Sequence, residues 1–252
     1  MILKATDLSK SFPIENMEPQ HVLKNIQLTI NKGEFVSVMG ASGSGKSTLL
    51  YTISGMMQPS AGTVEFAGKQ LNTLTEEQLT SVRLNKMGFV FQQANLLKTF
   101  NLKDNIILSA YLGKKESQKE IDKRAVQLMK QTGVHQLASK DITQASGGQL
   151  QRVSICRALI NKPEIIFGDE PTGALNSKSA SEIMMLFNEI NQNGTTILLV
   201  THDAKVASKT ERILFMADGE IVSEKYLCKM KDESTLKERE EQVAEWLSGL
   251  DF

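Results

Sequence analysis

A glycine-rich segment that follows an apolar stretch contains the clearest chemistry in the sequence. It runs Gly40-Ala41-Ser42-Gly43-Ser44-Gly45-Lys46-Ser47. Glycines permit tight, positive-φ turns that point backbone N–H groups into one concavity, and the start of a following helix adds partial positive charge there. This pattern predicts a loop that binds the phosphates of a nucleotide, with Lys46 at the β- and γ-phosphates and Ser47 at Mg²⁺. Thr48, the next residue, is assigned to the same site.

Two adjacent acids, Asp169 and Glu170, follow an apolar run at residues 165–167. In proteins with a phosphate-binding loop of this kind, a carboxylate at the tip of the neighbouring strand holds Mg²⁺. We assign that role to Asp169. Glu170 is then placed to polarise a water molecule in line with the γ-phosphate, as a general base. Without the glycine-rich loop, the same pair would indicate only a solvated strand end.

The elements that must carry these motifs are visible in the apolar pattern. Short apolar or β-branched runs predict strands at residues 26–30, 34–39, 63–66, 87–91, 164–167, 196–200 and 213–216. Several lack polar alternation, which is typical of central parallel strands covered on both faces. Helical patterns include residues 47–57, 121–129 and 150–159. Along the chain, predicted strands come first, residues 93–144 are mainly helical, and strands and helices then alternate. This order predicts an α/β sheet domain interrupted by a helical lobe.

Further motifs identify a family. They are Phe91-Gln92 after a strand, Ser146-Gly147-Gly148-Gln149-Leu150-Gln151-Arg152 before a helix, Gly168-Asp169-Glu170-Pro171-Thr172-Gly173 and Thr201-His202-Asp203 after a strand. The second of these, taken alone, is a possible anion site because glycines precede a helix start. With the glycine-rich loop, the motifs occur in the order and spacing of ABC-transporter ATPases. The chain resembles that family from residue 3 to residue 222 or thereabouts.

The resemblance implies a role for each matching residue. Gln92 should touch Mg²⁺ or the attacking water and join the sheet domain to the helical lobe, and His202 should contact the γ-phosphate. Phe12 should stack on adenine, although a core residue at a strand end is the alternative. A second copy of the chain is the expected partner, and its ATP should be bound in trans by Ser146, Gly147, Gly148 and Gln149. ATP would then join two subunits, and its hydrolysis would let them part.

Two positions depart from the family pattern. Ala145 stands where the family usually has Leu, and Asn176 stands where Asp is commoner. The loop that contains Asn176 crosses the dimer interface in the family. Asn keeps the hydrogen-bonding shape of Asp but loses its charge, so we expect reduced communication between the two sites rather than lost hydrolysis.

The details of the resemblance favour one group of exporters. A longer loop at residues 13–21 and the sequences around Gln92 and Glu170 are most similar to ATPases of lipoprotein release, macrolide export and bacitracin-type peptide resistance. A cell-division ATPase, a soluble ABC ATPase that serves as an assembly scaffold and a nucleotide binder with negligible turnover remain alternatives. In this family a membrane permease contacts the helical lobe just past Gln92. The residues expected there are Asn95, Leu96, Leu97, Phe100 and Asn101. The alternative is that they belong to the core of the lobe.

Bulk properties narrow the setting. Lys plus Arg and Asp plus Glu each total 29 in 252 residues, so the formal net charge is zero. Without a net positive charge to attract it, nucleic acid is not expected as a partner. We find no apolar run of the roughly 20 residues that span a bilayer and no signal peptide at the start. The expected location is cytoplasmic, peripheral on the inner face of the cell membrane through the permease. Cys156 and Cys228 are predicted to be reduced thiols.

The resemblance also implies the fold. We expect an α/β P-loop NTPase of the ABC ATPase class, with a RecA-like mixed sheet core, a helical signature lobe and an antiparallel β edge. Residues 1–92 and 160–230 should form the ATP-binding core, 93–159 the lobe and 231–252 a C-terminal amphipathic helix. Apolar residues recur at helical spacing in that last segment, at Leu236, Val243, Trp246, Leu247 and Leu250. It either packs on its own domain or docks a partner.

Overall fold

The computed structural model of the protein describes residues 1–15, 17–113, 116–230 and 233–250. The strands are β1 Leu3–Ile14, β2 Met17–Ile30, β3 Phe35–Met39, β4 Ala61–Phe66, β5 Lys69–Gln70, β6 Met87–Phe91, β7 Ile165–Asp169, β8 Thr196–Val200, β9 Arg212–Ala217 and β10 Glu220–Tyr226. The helices are α1 Lys46–Ile53, α2 Glu76–Lys86, α3 Leu102–Gly113, α4 Gln118–Gln131, α5 Gly147–Leu159, α6 Ser177–Gln192, α7 Ala204–Ala207 and α8 Leu236–Ser248. Within these ranges, no helix combines the length and apolar character needed to cross a bilayer.

The larger sheet brings the predicted motifs to one edge. Its strand order is β10-β9-β3-β8-β7-β6; the five strands from β9 to β6 are parallel, and β10 pairs antiparallel with β9. The central strands β3 and β8 are buried along their whole length, which explains their unbroken apolar runs. Since parallel strands end at the same edge, the chain leaves β3 for the glycine-rich loop, β7 for Glu170 and β8 for His202 side by side.

A second sheet, β2-β1-β4-β5, is antiparallel throughout and forms the predicted antiparallel edge. β1 and β2 pair from Leu3↔Ile30 to Ile14↔Met17 with several irregular steps. Inward-facing apolar side chains such as Leu8 and Leu23 join the main core, and α1 packs there between the two sheets. The hydrophobic core therefore clamps the helix that begins in the glycine-rich loop.

Arg212 ties the two sheets together. Its guanidinium is buried and donates to the Thr29 carbonyl of β2 at 2.8 Å. The same group pairs with Glu224 of β10 at 2.9 Å and with Glu34 at 3.3 Å. A buried cation with two carboxylates and a carbonyl has its charge and its hydrogen bonds satisfied, so the sheets are held in one arrangement.

The helices α3, α4 and α5 form a lobe with its own core. Buried apolar residues from Leu102 to Ile160 make up this separate cluster. Ser117 begins α4 with a capping box to Glu120, and the buried face of α4 follows helical spacing through Ile121, Ala125 and Met129.

Both cysteines are free thiols. Cys156 lies in the core of this lobe, where burial raises the pKa of its thiol to about 12 against the opposing hydrogen bond to Thr132. Cys228 is exposed.

The C-terminal helix α8 packs on its own chain. Val243 and Leu247 lie in a cluster with Phe215 of β9, and the Trp246 ring meets the Phe215 ring edge-on at 6.2 Å. The buried Arg239 donates to the carbonyls of Ser208 and Thr210, both at 2.7 Å. This is the first of the two arrangements that the sequence left open. The ends of the predicted segment, residues 231–232 and 251–252, lie outside the described residues.

Several element predictions need correction. The segment 13–21 is not a loop, because β1 continues to Ile14 and β2 starts at Met17; Asn16 lies outside the described residues. The strands β1, β5 and β10 and the helix α2 were not predicted. β1 mixes polar and apolar residues because only one face is covered, and α2 shows little amphipathic pattern because Leu79 is its one fully buried residue. The helix predicted at residues 47–57 ends earlier, at Ile53.

Candidate active site

The glycine-rich loop has the tight backbone that its sequence predicts. Gly43 and Gly45 have φ of 84° and 100°, values that favour glycine. A Cβ on Gly40 would lie 2.1 Å from the Met216 carbonyl oxygen, and one on Gly45 would lie 2.8 Å from that of Val22. The loop is thus wedged between β9 and β2, while Ala41 and Ser42 are exposed at its outer surface.

Lys46 is folded back into this loop. Its Nζ donates to the carbonyls of Gly40 at 2.9 Å and Ala41 at 2.8 Å. Burial lowers the pKa of Lys46, and the nearby charges of Glu170 and Asp169 oppose that shift. The ammonium group is thus fixed within the loop with a donor hydrogen to spare, beside two carboxylates.

The polar groups of the loop fit a polyphosphate. Helix α1 begins at Lys46, and its first intrahelical bond is from Leu49 N to Gly45 O at 2.8 Å, so the N–H groups of the preceding positions, including Ser47 and Thr48, have no intrahelical acceptor. The Ser44 hydroxyl is buried and has no partner among the described residues. Unsatisfied donors at a helix start are the groups that bind phosphate in other proteins.

The carboxylate of Asp169 accepts hydrogen bonds from two hydroxyl groups of α1. The Ser47 hydroxyl donates to Oδ1 at 2.8 Å, and the Tyr51 hydroxyl donates to Oδ2 at 2.6 Å. Burial raises the pKa of Tyr51 to about 12, and the bond to Asp169 adds to the rise. No group of three or more His, Cys, Asp or Glu side chains suited to a metal occurs within the described ranges. Mg²⁺ needs only one or two carboxylates beside phosphate oxygens and water, so these hard oxygen donors fit it.

Glu170 stands in a constrained position beside His202. Its φ is 46°, a left-handed conformation that costs a non-glycine residue energy and that is common at functional sites. Its Oε1 lies 3.0 Å from His202 Nδ1. Because an ionised carboxylate only accepts, Nδ1 is the donor in this bond. The backbone N–H of Glu170 donates to Val200 O at 3.0 Å, which fixes the end of β7 to the end of β8.

Gln92 also reaches this cluster. A Cβ built on Gly173 would lie 3.0 Å from Gln92 Nε2 and 3.3 Å from Glu170 Oε2, so both side chains converge on the turn after β7. Gln151 belongs to the signature motif, but the sequence assigned no role to it; it is buried and supports the same region. Its Nε2 donates to the carbonyls of Phe91 at 2.9 Å and Pro171 at 2.7 Å. A polar residue on the buried face of α5 was the available signal.

Phe12 lies on the hairpin beyond the loop. It pairs with Gln20, whereas Lys10 pairs with Leu23, the residue that packs on Gly45. Two residues of strand place Phe12 about 7 Å farther out than Lys10 along β1. The ring is partly exposed, and Lys10 Nζ lies 5.1 Å from its centroid. Phe12 is therefore a partly exposed residue of the β1–β2 hairpin, one step beyond the part of the hairpin that contacts the loop.

The signature residues form a separate, exposed helix start. Ser146 and Gln149 make a capping box, with Ser146 N donating to Gln149 Oε1 at 2.8 Å. A Cβ on Gly147 would meet Leu175, and one on Gly148 would meet Ser179. An open cavity of about 380 Å³ lies beside this helix start and is lined by Gly133, Ser146, Gly148, Gln149, Arg152, Ser179 and Glu182. Within the described part of the chain, no hydrogen bond joins the signature residues to the glycine-rich loop.

The two departures from the family pattern lie next to the signature. Asn176 is the N-cap of α6, and its Oδ1 accepts from Ser179 N at 2.9 Å. Ala145, just before α5, is partly buried against the lobe core. Asn176 thus keeps the capping function that Asp would have, without the negative charge that favours a helix start.

The segment proposed for a permease borders a groove. A cavity of about 430 Å³ is lined by Met56, Thr80, Arg83, Leu84, Met87, Gly88, Phe89, Phe91, Asn95, Ser109, Arg157, Ala158 and Asn161. Of the predicted contact residues, only Asn95 lines it. Leu97 is 46% exposed and Phe100 37%, whereas Leu96 packs on the lobe core and Asn101 bonds Asp104.

Two polar residues that were not predicted, the buried Asn105 and the partly buried Arg157, shape that segment. Arg157 donates to the carbonyls of Ala94 and Asn95, each at 2.7 Å. Asn105 accepts from Leu97 N at 2.7 Å and donates to the carbonyls of Leu97, Phe100 and Asn101. The bends that they stabilise turn two large apolar side chains outward.

Comparison with known proteins places this geometry in a family. A family model described as ABC transporter matches residues 23–173. The chain is 42% identical over 224 residues to the bacitracin export ATP-binding protein BceA of Halalkalibacterium halodurans, covering 88% of each. It is equally similar to the macrolide export ATP-binding/permease protein MacB of Mannheimia succiniciproducens, but spans 34% of that longer protein.

Solved structures agree with the sequence comparisons. A dimeric post-hydrolysis state of the ATP-binding cassette MJ0796 bound to ADP and Pi superposes with a TM-score of 0.83 at 40% identity. The match covers 91% of this chain and 100% of that one. With the glycine-rich loop, the acidic pair and His202 gathered at one sheet edge, these findings agree on fold and activity: the chain belongs to the ABC transporter family and is an ATP-hydrolysing cassette of it.

Proposed function

We propose that the chain is a nucleotide-binding subunit that dimerises around two ATP molecules with Mg²⁺ and drives a membrane permease. The observation that supports this proposal is that one chain contains two halves of a site, which lie apart from each other. The glycine-rich loop, Asp169, Glu170 and His202 meet at one sheet edge, whereas Ser146 starts a different, exposed helix. A second copy, facing the first, would supply the missing half of each site.

ATP binding is assigned to residues on both sides of the loop. The residues from Gly40 to Thr48 would surround the phosphates, with the Lys46 ammonium released from its two carbonyls to the β- and γ-phosphates. Phe12, partly exposed on the hairpin, would stack on adenine. Mg²⁺ would be held by Ser47, Asp169 and Gln92, and it would neutralise phosphate charge. The Ser47–Asp169 bond of 2.8 Å already holds two of these oxygen donors together.

Hydrolysis is assigned to Glu170 as the general base. The backbone bond to Val200 and the His202 bond at 3.0 Å limit where its carboxylate can point. A water molecule held by that carboxylate would lose a proton to it while attacking the γ-phosphorus, and the bond from that phosphorus to the β–γ bridging oxygen would break, releasing ADP. Gln92 would orient the same water, and His202 would turn toward the phosphate. A general base must first lie within hydrogen-bonding reach of the water that it deprotonates, and these restraints hold the carboxylate of Glu170 at the site.

The trans half is assigned to Ser146, Gly147, Gly148 and Gln149. An exposed helix start with a serine cap offers N–H groups and a hydroxyl to the γ-phosphate of the facing subunit. The solved MJ0796 cassettes, whose descriptions call them dimeric, support this arrangement. Asn176, at the start of α6 beside the signature, would lie near the interface and transmit the state of one site to the other.

A permease is assigned to the groove of 430 Å³ and the segment at residues 95–101. The groove offers apolar side chains such as Met56 together with two guanidinium groups, Arg83 and Arg157. It lies between the core proposed for residues 1–92 and 160–230 and the lobe proposed for 93–159, with 231–252 as a C-terminal addition. The subunit would thus be cytoplasmic and peripheral on the inner membrane face.

The names of the relatives favour peptide resistance or drug export. BceA is named for bacitracin export and MacB for macrolide export with a permease. We infer that this chain serves a permease for bacitracin-type antimicrobial peptides. Lipoprotein release, cell division and a soluble assembly scaffold are the alternatives, and only the scaffold has no membrane partner.

Capture from detergent-solubilised membranes tests the permease assignment. The tagged chain should retain an integral membrane protein, and Leu97→Asp or Phe100→Asp should release it by placing a charge in the apolar contact. Leu112→Asp is the matched control, since Leu112 is 64% exposed on α3 outside this segment. Equal retention by all variants would contradict the site, and capture of no membrane protein would favour the scaffold.

A further inference from the structure

Tyr51 supplies the second hydroxyl group that donates to Asp169, and it has no role in the function proposed above. It follows Ser47 by four residues on α1, so both side chains project from one face of the helix. Ser47 takes Oδ1 of the carboxylate and Tyr51 takes Oδ2. Both oxygens of Asp169 are therefore held by a single helix.

The bond from Tyr51 is the shorter of the two. Its oxygen lies 2.6 Å from Oδ2, within the range of a charge-assisted O–H···O⁻ bond, whereas the Ser47 distance is 2.8 Å. Such bonds are roughly twice as strong as those between neutral groups. Asp169 ends β7 at the open edge of the sheet, so this bond restrains a side chain that would otherwise rotate.

The Tyr51 ring is itself well anchored. It packs against the main hydrophobic core, and its backbone carbonyl accepts from Met56 N at 2.9 Å and Met57 N at 3.0 Å. A rigid ring with one rotatable hydroxyl holds a partner at little entropic cost. Tyr51 also lies about 6 Å farther along the helix axis than Ser47, away from the phosphate loop.

We propose that Tyr51 is a positioning residue of the magnesium site, whose hydroxyl fixes Oδ2 of Asp169 and leaves Oδ1 with Ser47 on the side assigned to the ion. The proposal rests on the function proposed above, because Ser47 and Asp169 are its magnesium-binding residues. Groups that orient metal-binding side chains commonly contribute 10- to 100-fold to metal affinity. Loss of the hydroxyl should therefore affect the metal requirement and leave the nucleotide contacts of the loop intact.

The test is Tyr51→Phe in the full chain, which removes the hydroxyl and keeps the ring. Binding of a fluorescent, non-hydrolysable ATP analogue is measured during a titration with MgCl₂ and separately in excess EDTA. The free Mg²⁺ needed for half-maximal enhancement of binding should rise about 10-fold. Affinity in EDTA should not change, and thermal unfolding should confirm that the variant is folded.

Tyr111→Phe is the matched control. The Tyr111 hydroxyl donates to Asp122 Oδ2 at 3.3 Å in the helical lobe, so the variant loses a tyrosine–aspartate bond away from the site. It should leave the Mg²⁺ titration unchanged. Ser47→Ala is the positive reference, because it removes a proposed ligand of the ion.

The outcomes separate the two levels of the proposal. An unshifted titration in Tyr51→Phe, or an equal loss of affinity with Mg²⁺ and with EDTA, would overturn the role of Tyr51 alone, provided that the wild-type chain responds to Mg²⁺. A wild-type chain whose affinity is indifferent to Mg²⁺ would overturn the magnesium site and the role of Tyr51 together. A shift confined to the Mg²⁺ titration supports both.

Discussion

The loop side and the signature side of the proposed site differ in how their polar groups are satisfied. On the loop side, hydrogen bonds link residues far apart in the sequence, such as Ser47 with Asp169 and Glu170 with His202. On the signature side, Ser146 and Gln149 bond mainly each other, within one helix turn. The first group depends on the folding of the whole sheet, and the second needs only a local helix start.

This difference indicates which part of the chemistry one chain can prepare alone. A cluster assembled by tertiary contacts at the end of buried strands has a fixed geometry before a nucleotide arrives. An exposed helix cap is available to a partner and acts only when that partner docks. Changes on the loop side should therefore affect binding and chemistry, and changes on the signature side should affect association.

The largest effect is expected from Glu170→Gln. Loss of a general base should lower turnover at least about 100-fold while ATP binding remains. A coupled-enzyme ATPase assay measures it. Glu164→Gln is the control at the opposite end of β7, where Glu164 pairs with Lys86 at 2.8 Å, and its turnover should stay near the wild-type value. Normal hydrolysis by Glu170→Gln would show that another group is the base.

Lys46→Ala should produce the next largest effect. Removing a charged donor to phosphate should weaken nucleotide binding about 10- to 100-fold, because hydrogen bonds to charged groups contribute about 1.5–3 kcal/mol. Fluorescence titration with an ATP analogue measures the dissociation constant. Lys162→Ala, which removes a surface lysine paired with Glu116, is the control. An unchanged constant for Lys46→Ala would contradict the assignment of the loop.

Ser146→Ala should separate the two sides of the site. We expect ATP-dependent association to weaken about 10-fold, the scale of one lost hydrogen bond to a charged group, with unchanged affinity of the monomer for the analogue. Ser117→Ala is a close control, since Ser117 makes the same capping box at the start of α4. Both variants should lose similar stability, about 0.5–2 kcal/mol in thermal unfolding. If Ser117→Ala impaired association equally, capping rather than ATP contact would explain the effect.

The smallest effect is expected from Asn176→Asp. Asp at this N-cap can still accept from Ser179 N, and its charge at the helix start should add about 0.3–1 kcal/mol to the free energy of unfolding. Turnover at saturating ATP should change little, while its cooperativity in ATP concentration should increase if the position links the two sites. A large loss of turnover would show that Asn176 has a more direct role.

The sequence predicted the parts of the fold whose signals are local. The unbroken apolar runs of β3 and β8 and the glycine spacing before Lys46 identified the sheet core and the loop with correct placement. β1 and β2 were harder, because one face of the hairpin is exposed and the register is irregular, so the expected loop at residues 13–21 is mostly strand.

The supporting residues could not be predicted because their roles depend on distant partners. Tyr51 reaches Asp169 across 118 positions, and Gln151 bonds carbonyls 60 and 20 positions away. The left-handed backbone of Glu170 likewise arises from the turn between β7 and α6, and the residue types of that turn do not predict it. Two local signals were available: the four-residue spacing of Ser47 and Tyr51 on one helix, and the polar Gln151 on a buried helix face.

Association of Glu170→Gln measured by sedimentation velocity tests the central claim most directly. That claim is that ATP joins the loop side of one subunit to the signature side of another. With saturating ATP and Mg²⁺ the variant should sediment as a dimer, and with ADP as a monomer, because the γ-phosphate bridges the two sides. A variant that stays monomeric with ATP and Mg²⁺, even beside its permease, would contradict the account.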